Sequence, residues 1–108
     1  MIAAERVLDA LGDPTRRHVF DRVRRGRHLV RDIAEGMNVS RPAVSQHLKV
    51  LKTAGLVRVR IEGSRRLYMV DTRGIALLRD WLDGFWSEML AAFAEAAERE
   101  AIREREGR

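Results

Sequence analysis

The sequence predicts a mainly helical chain carrying one small β-hairpin, in the order helix, helix, helix, helix, strand, strand, helix. Three observations carry that expectation. Apolar residues recur at helical spacing from Ile2 to Met37 and again from Val44 to Leu51. Between Val57 and Val70 the period drops to two. From Asp71-Thr72 onward no strong breaker appears until Gly107, with Gly74 and Gly84 only weakening a last helix. The 108 residues allow one small domain over 1–108.

The first helix, Ile2 to Leu11, places Ile2, Val7, Leu8 and Leu11 on one face. Asp13 is a good N-cap, and Pro14 suits a first helical position, where its missing N–H costs nothing. A second helix follows from Pro14 to about Arg25, with Val19, Phe20 and Val23 inward and Gly26 as its stop. Leu29, Ile33, Ala34 and Met37 predict a third, short helix ending at Gly36 or Met37. Ser40 caps the fourth, Pro42 is tolerated in its first turn, and Val39 with Val44 forms a hydrophobic staple. That helix runs to about Ala54, with Gly55 as its left-handed stop and Val44, Leu48 and Leu51 as its apolar line.

Val57, Val59 and Ile61 alternate with Arg58, Arg60 and Glu62, the pattern of a half-buried strand. Gly63-Ser64-Arg65 reads as a turn and Arg66 to Val70 as the returning strand. Two strands are marginal alone and need helices to lie on. The final helix would span roughly 50 Å at about 1.5 Å per residue, too long for so small a domain to cover.

Composition excludes several classes. The chain has no cysteine, so disulfides, thiolate metal sites and a thiol nucleophile are ruled out. The longest apolar run, Met89 to Ala94, is far short of a membrane span. Glu5, Arg6, Asp9 and Asp13 argue against a cleaved signal peptide, and a cytoplasmic protein is expected. No Gly-rich phosphate loop, nucleophile elbow or ligand-spaced His-carboxylate set occurs, so no catalytic residue, cofactor or metal site is expected.

Net charge is +5, and 19 of the 21 basic residues are arginine, a bias that a GC-rich genome could produce. Its distribution is more telling. Residues 1–30 hold seven basic and four acidic side chains, residues 31–70 eight and three, and residues 71–108 six and nine. The middle of the chain is basic and its end acidic, as expected of a nucleic-acid-binding segment.

Helix 33–37, a turn at Asn38-Val39 and helix 41–54 make a helix-turn-helix over about 30–54, followed by a basic wing over about 57–70. Ser45, Gln46 and Arg41 suit base edges in a major groove, where Gln pairs bidentately with adenine. Pro42 shares that face. Ser40, His47, Lys49, Lys52, Ser64, Arg65 and Arg66 are candidates for phosphate or minor-groove contact, the helix N-terminus adding its N–H groups. Arg24, Arg25 and Arg27 would extend the backbone footprint.

In the last helix Ile75, Leu78, Leu82, Phe85, Met89, Leu90 and Phe93 form one apolar stripe, widened by Leu77, Trp81 and Trp86. A patch this broad marks an interface. The expected dimer uses the first helix (about 2–11: Ile2, Val7, Leu8) and the last (about 72–100: Leu78, Trp81, Leu82, Phe85, Met89, Phe93). The alternating Glu and Arg beyond Ala97 read as a solvated helix end.

Along almost its whole length the chain resembles the ArsR/SmtB-type winged helix-turn-helix repressors of bacteria. The resemblance rests on Leu11-Gly12-Asp13-Pro14-Thr15-Arg16 and on Ser40-Arg41-Pro42-Ala43-Val44-Ser45-Gln46-His47-Leu48. It continues through Leu51, Ala54-Gly55-Leu56-Val57 and Gly63-Ser64-Arg65-Arg66-Leu67-Tyr68. Within the family it looks like the metal-free, autorepressor-like subgroup. The resemblance implies a homodimer that binds an imperfect palindrome in its own promoter. Arsenic- and cadmium-sensing members carry cysteines where this chain has Leu29 to Glu35. Members sensing zinc, nickel or cobalt use histidines in the last helix, where this chain has Asp80, Asp83 and Glu88 but no His. Two alternatives stay open: a nickel- or zinc-responsive repressor using His18 or His28 with carboxylates, and a winged-helix protein-interaction module.

Overall fold

A computed structural model describes residues 2–107. Its elements are α1 (Ala3–Gly12), α2 (Pro14–Arg24), α3 (Val30–Ala34), α4 (Arg41–Thr53), β1 (Val57–Glu62), β2 (Arg65–Val70) and α5 (Thr72–Glu106). The chain divides into two units, one ending at Leu78 and the other beginning at Arg79. The first holds α1 to α4, the hairpin and the opening turns of α5; the second is the remainder of α5.

The first unit is built around Val19, Phe20 and Val23 of α2, Ile33 of α3, Val44, Leu48 and Leu51 of α4, and Leu56-Val57 beyond it. Val7 and Ala10 of α1 complete this core. Fully burying a side chain such as Leu48 is worth about 2–3 kcal/mol, so these positions decide how α4 lies on α2. Val7 was expected at a dimer seam, but none of its surface is accessible. On α1 the inward line is Ala4, Val7 and Ala10, three and six residues apart, which turns Leu8 outward. Ile2 precedes the helix as its N-cap residue and is also exposed. Leu78 is half-buried and packs against the same core, so only part of it is free for a partner.

Side chains satisfy the helix ends. The carboxylate of Asp13 accepts from the Arg16 N–H at 2.9 Å, and the Ser40 hydroxyl accepts from the Ala43 N–H at 3.2 Å. Arg16 and Arg17 reach back to the last carbonyls of α1, at Ala10 (2.6 Å), Asp9 (3.1 Å) and Leu11 (2.8 Å). These oxygens have no partner within their own helix, so the two guanidiniums lock the α1–α2 corner.

Helix α3 is displaced from the expected 33–37. It begins at Val30 and stops at Ala34, and Gly36 takes the left-handed conformation at φ +75°. Met37 is therefore in the turn, although its side chain still packs on the core. The Arg22 guanidinium donates to the carbonyls of Ile33 (3.1 Å) and Glu35, closing the C-terminal end of α3.

The hairpin is antiparallel with Val57 opposite Val70 and Glu62 opposite Arg65. Arg65 belongs to the strand, so the turn contains only Gly63 and Ser64, with Gly63 at φ +60°. A two-residue hairpin loop of this kind requires positive φ, which glycine adopts freely. Burial fades toward the tip: Val57 is buried, Val59 half-buried and Ile61 is 67% exposed. The outer half of the hairpin therefore projects from the core.

Two main-chain hydrogen bonds tie the end of α4 to the start of α5. The Asp71 N–H donates to the Leu56 carbonyl, and the Gly74 N–H to the Gly55 carbonyl, both at 2.9 Å. A Cβ on Gly74 would stand 2.6 Å from the Gly55 oxygen, so this approach needs glycine. The Asp71 side chain caps α5 by accepting from the Arg73 N–H at 3.0 Å. No helix among the described residues is long and apolar enough to cross a membrane.

Candidate nucleic-acid interface

Core burial of Val44, Leu48 and Leu51 leaves Arg41, Pro42, Ser45, Gln46, Lys49 and Lys52 exposed on α4. The Ser40 hydroxyl is engaged in capping. His47 is half-buried, whereas Ser45 and Lys49 are exposed. The Arg16 N–H is the main cause holding the Asp13 carboxyl below its usual range, and the charge of Arg16 adds to it.

The wing and α4 face each other across a cleft of about 510 Å³. Ser45, Gln46, Lys49 and Lys52 line one wall, and Val59, Arg66 and Tyr68 the other. A second depression, about 620 Å³, joins the start of α3 to the wing tip through Leu29, Val30, Arg31, Ser64, Arg65 and Arg66. Arg31 also lines a third with Arg41. Gln46 and Lys49 reach a further cleft, shared with Arg6 of α1. Arg6, Arg31 and Tyr68 were not among the expected contacts. Nothing local in sequence marks Arg6 or Arg31, because only the packing of α1 and α3 beside α4 and the wing brings them near.

The arginines fall into two groups. Arg24 and Arg25 both pair with Asp21, at 2.5 and 2.9 Å, and Arg27 donates to the Asp32 carbonyl at 2.7 Å. These three were expected to extend a backbone footprint, but each has an acceptor within the protein. Among the described residues Arg41, Lys49, Lys52, Arg65 and Arg66 make no ion pair. Three of these unneutralised cations, Lys49, Lys52 and Arg66, line the cleft between α4 and the wing, and Arg65 and Arg41 line two further depressions. Such a surface suits a polyanion.

No group of three His, Asp or Glu able to hold a metal occurs among the described residues. His18 accepts from Arg22 Nε at 3.4 Å, and His28 bonds the Tyr68 carbonyl through Nδ1 at 2.9 Å.

Beyond Arg79 the apolar side chains of α5 are exposed. Trp81, Leu82, Phe85, Met89 and Phe93 all show more than a third of their surface, Phe93 reaching 66%. The rings of Trp81 and Phe85 stack with centroids 5.7 Å apart and planes 9° from parallel.

Comparison with known proteins matches residues 11–60 to a helix-turn-helix domain family. The chain is 48% identical over 96 residues to the HTH-type transcriptional regulator Rv2034 of Mycobacterium tuberculosis, covering 89% of this chain and 90% of that protein. It is 34% identical to the transcriptional repressor SdpR of Bacillus subtilis, covering 73% of this chain and 88% of the repressor. Its structure is similar to the homodimeric winged helix-turn-helix DNA-binding domain of a possible ArsR-family transcriptional regulator from Mycobacterium bovis. That likeness has a TM-score of 0.62 and 29% identity over 80% of each chain.

Proposed function

The chain belongs to the ArsR/SmtB-type family of winged helix-turn-helix transcriptional regulators, DNA-binding proteins rather than enzymes, and we propose that it acts as a homodimeric repressor occupying an imperfect palindromic operator. The observation that carries this reading is the group of unpaired cations: Lys49, Lys52 and Arg66 line the cleft that presents Ser45 and Gln46, and Arg65 and Arg41 line two further depressions. A protein-interaction module has no need of such a surface. Two copies would place their α4 helices in successive major grooves about 34 Å apart, on one face of the duplex. Ser45, Gln46 and Arg41 then read base edges, with Pro42 packed beside them. Lys49, Lys52, Ser64, Arg65 and Arg66 hold phosphates or enter the minor groove. Ile2 and Leu8 of α1, and Trp81, Leu82, Phe85, Met89 and Phe93 of α5, supply apolar surface for the second copy. Occupancy of a promoter blocks transcription, in line with the repressor named among the relatives. The protein works in the cytoplasm, where such a promoter is found.

The test is a fluorescence-anisotropy titration with the duplex upstream of the protein's own gene against a random duplex, at several salt concentrations. Specific binding should exceed random binding by about a thousandfold or more, and both should weaken linearly with the logarithm of salt. Salt-independent or absent binding would overturn the proposal.

A further inference from the structure

We infer that His28 is a positioning residue for the wing, holding β2 in place through its ring rather than by touching DNA. The main chain of Tyr68 points away from β1, off the open edge of the hairpin. Its N–H donates to the His28 carbonyl at 2.9 Å. Its carbonyl receives the His28 ring at Nδ1, also at 2.9 Å. A carbonyl can only accept, so the ring carries its hydrogen on Nδ1. One residue of the α2–α3 loop therefore satisfies both polar groups of a residue 40 positions further on, where a bare strand edge would otherwise face water.

The position of this clamp gives it a functional consequence. Tyr68 lines the cleft opposite Ser45, Gln46 and Lys49. Arg66 and Arg65 precede it by two and three residues on the same strand. The outer hairpin has little burial of its own, Ile61 being largely exposed. Tyr68 and Val70 pack on the core, and beyond them burial fades toward the tip, so the edge hydrogen bonds add to what orients the wing cations over a bound backbone. The loop itself is held in turn, since Arg27 donates from its main chain to the Arg22 carbonyl (3.1 Å) and from its side chain to the Asp32 carbonyl.

This inference rests on the reading of the wing as a DNA contact, and the test separates the two. Asn places an N–H donor where the imidazole has Nδ1, and Gln places one nearer Nε2. Full-length His28→Asn, His28→Gln and His28→Ala proteins are compared on a duplex selected from a random pool by the wild type. His28→Gln and His28→Ala should lose about threefold to tenfold in affinity, the size of one hydrogen bond, and show a shallower salt dependence. His28→Asn should restore both, with thermal midpoints alike because the side chain is exposed. In an Arg65→Ala, Arg66→Ala background, His28→Ala should have no further effect. Equal loss in the Asn and Ala variants would mean that His28 meets phosphate directly and would overturn the clamp. A loss that persists without the wing arginines would overturn it too. If the double arginine variant itself binds as tightly as the wild type, the wing reading fails and the clamp with it. If only the His28 variants are silent, the clamp alone fails.

Discussion

Arg22 donates to the carbonyls of Ile33 and Glu35, Arg16 to those of Asp9 and Ala10, and Arg24 and Arg25 to Asp21. Lys52 and Gln46 are exposed on α4. Removing such residues should have different signatures. Gln46→Ala should cost about 1–3 kcal/mol on the best duplex and relax preference at one base pair. Lys52→Ala should weaken all sequences alike and flatten the salt slope by about one. Equal losses on specific and random DNA in both variants would sink the base-reading role of Gln46. Asp71 makes a prediction about pH. The Arg73 side-chain hydrogen bonds, and then the Arg73 N–H, hold its carboxyl below the usual carboxylate range. A carboxyl depressed on folding stabilises the protein above its unfolded pKa, about 4, and that contribution fades as pH falls through the folded value. Asp71→Asn keeps a capping oxygen and loses the charge, so its stability deficit should be constant from about pH 5 to 7 and shrink below pH 4. Urea titrations across that range would check it; a deficit unchanged at pH 3 would mean that charge is irrelevant there. At this scale composition misleads, because a count of arginines does not say which guanidiniums already have acceptors. That depends on carbonyls brought close by other helices.

The elements were legible where a local signal ends them. Asp13-Pro14, Ser40, Gly55 and the switch to period two at Val57 each place a boundary to within a residue or so. Helix α3 was less legible, because its end is closed by Arg22 from a different helix as well as by Gly36. On α1 only Val7 departs from the expected dimer face, because it joins the small, weakly apolar Ala4 and Ala10 on the buried side, whereas Ile2 and Leu8 lie outside. Gly74 reads in sequence only as a weak helix position. In the fold it lets α5 start against the last turn of α4, with its N–H on the Gly55 carbonyl. A methyl there would meet main-chain atoms at 2.6 and 2.9 Å, which cannot swing aside as a flexible side chain would. Gly74→Ala should therefore destabilise by about 1–3 kcal/mol, even though alanine is the better helix former. Gly12→Ala, whose Cβ meets nothing within 4 Å, serves as the control and should be neutral to within about 1 kcal/mol. Comparable denaturation midpoints for the two variants would show that the α4–α5 joint tolerates a side chain.

At the scale of the whole molecule, the acidic last third and the basic middle separate two tasks. The unit ending at Leu78 carries the cleft with its unpaired cations, and the unit from Arg79 carries an apolar helix face with no core of its own. Exposed Trp81, Leu82, Phe85, Met89 and Phe93 form a patch that a soluble monomer rarely leaves open. Repression by occupancy supplies a reason for a second copy to cover it. One α4 in one groove offers a handful of base contacts, whereas two linked reading heads bind the second half-site as an intramolecular event, gaining affinity by about a hundredfold or more without a new contact. Phe85→Glu places a charge in the middle of this face. Sedimentation should shift its mass from twice the 12.4 kDa of the chain toward the chain mass itself. Specific DNA affinity should fall by about two orders of magnitude, whereas the weak, salt-dependent binding of random duplex by each monomer should survive, since its cations are untouched. An unchanged mass would sink the interface. A monomer that still bound its specific duplex at full strength would show that dimerisation and reading are independent, contrary to the division of labour between the two units.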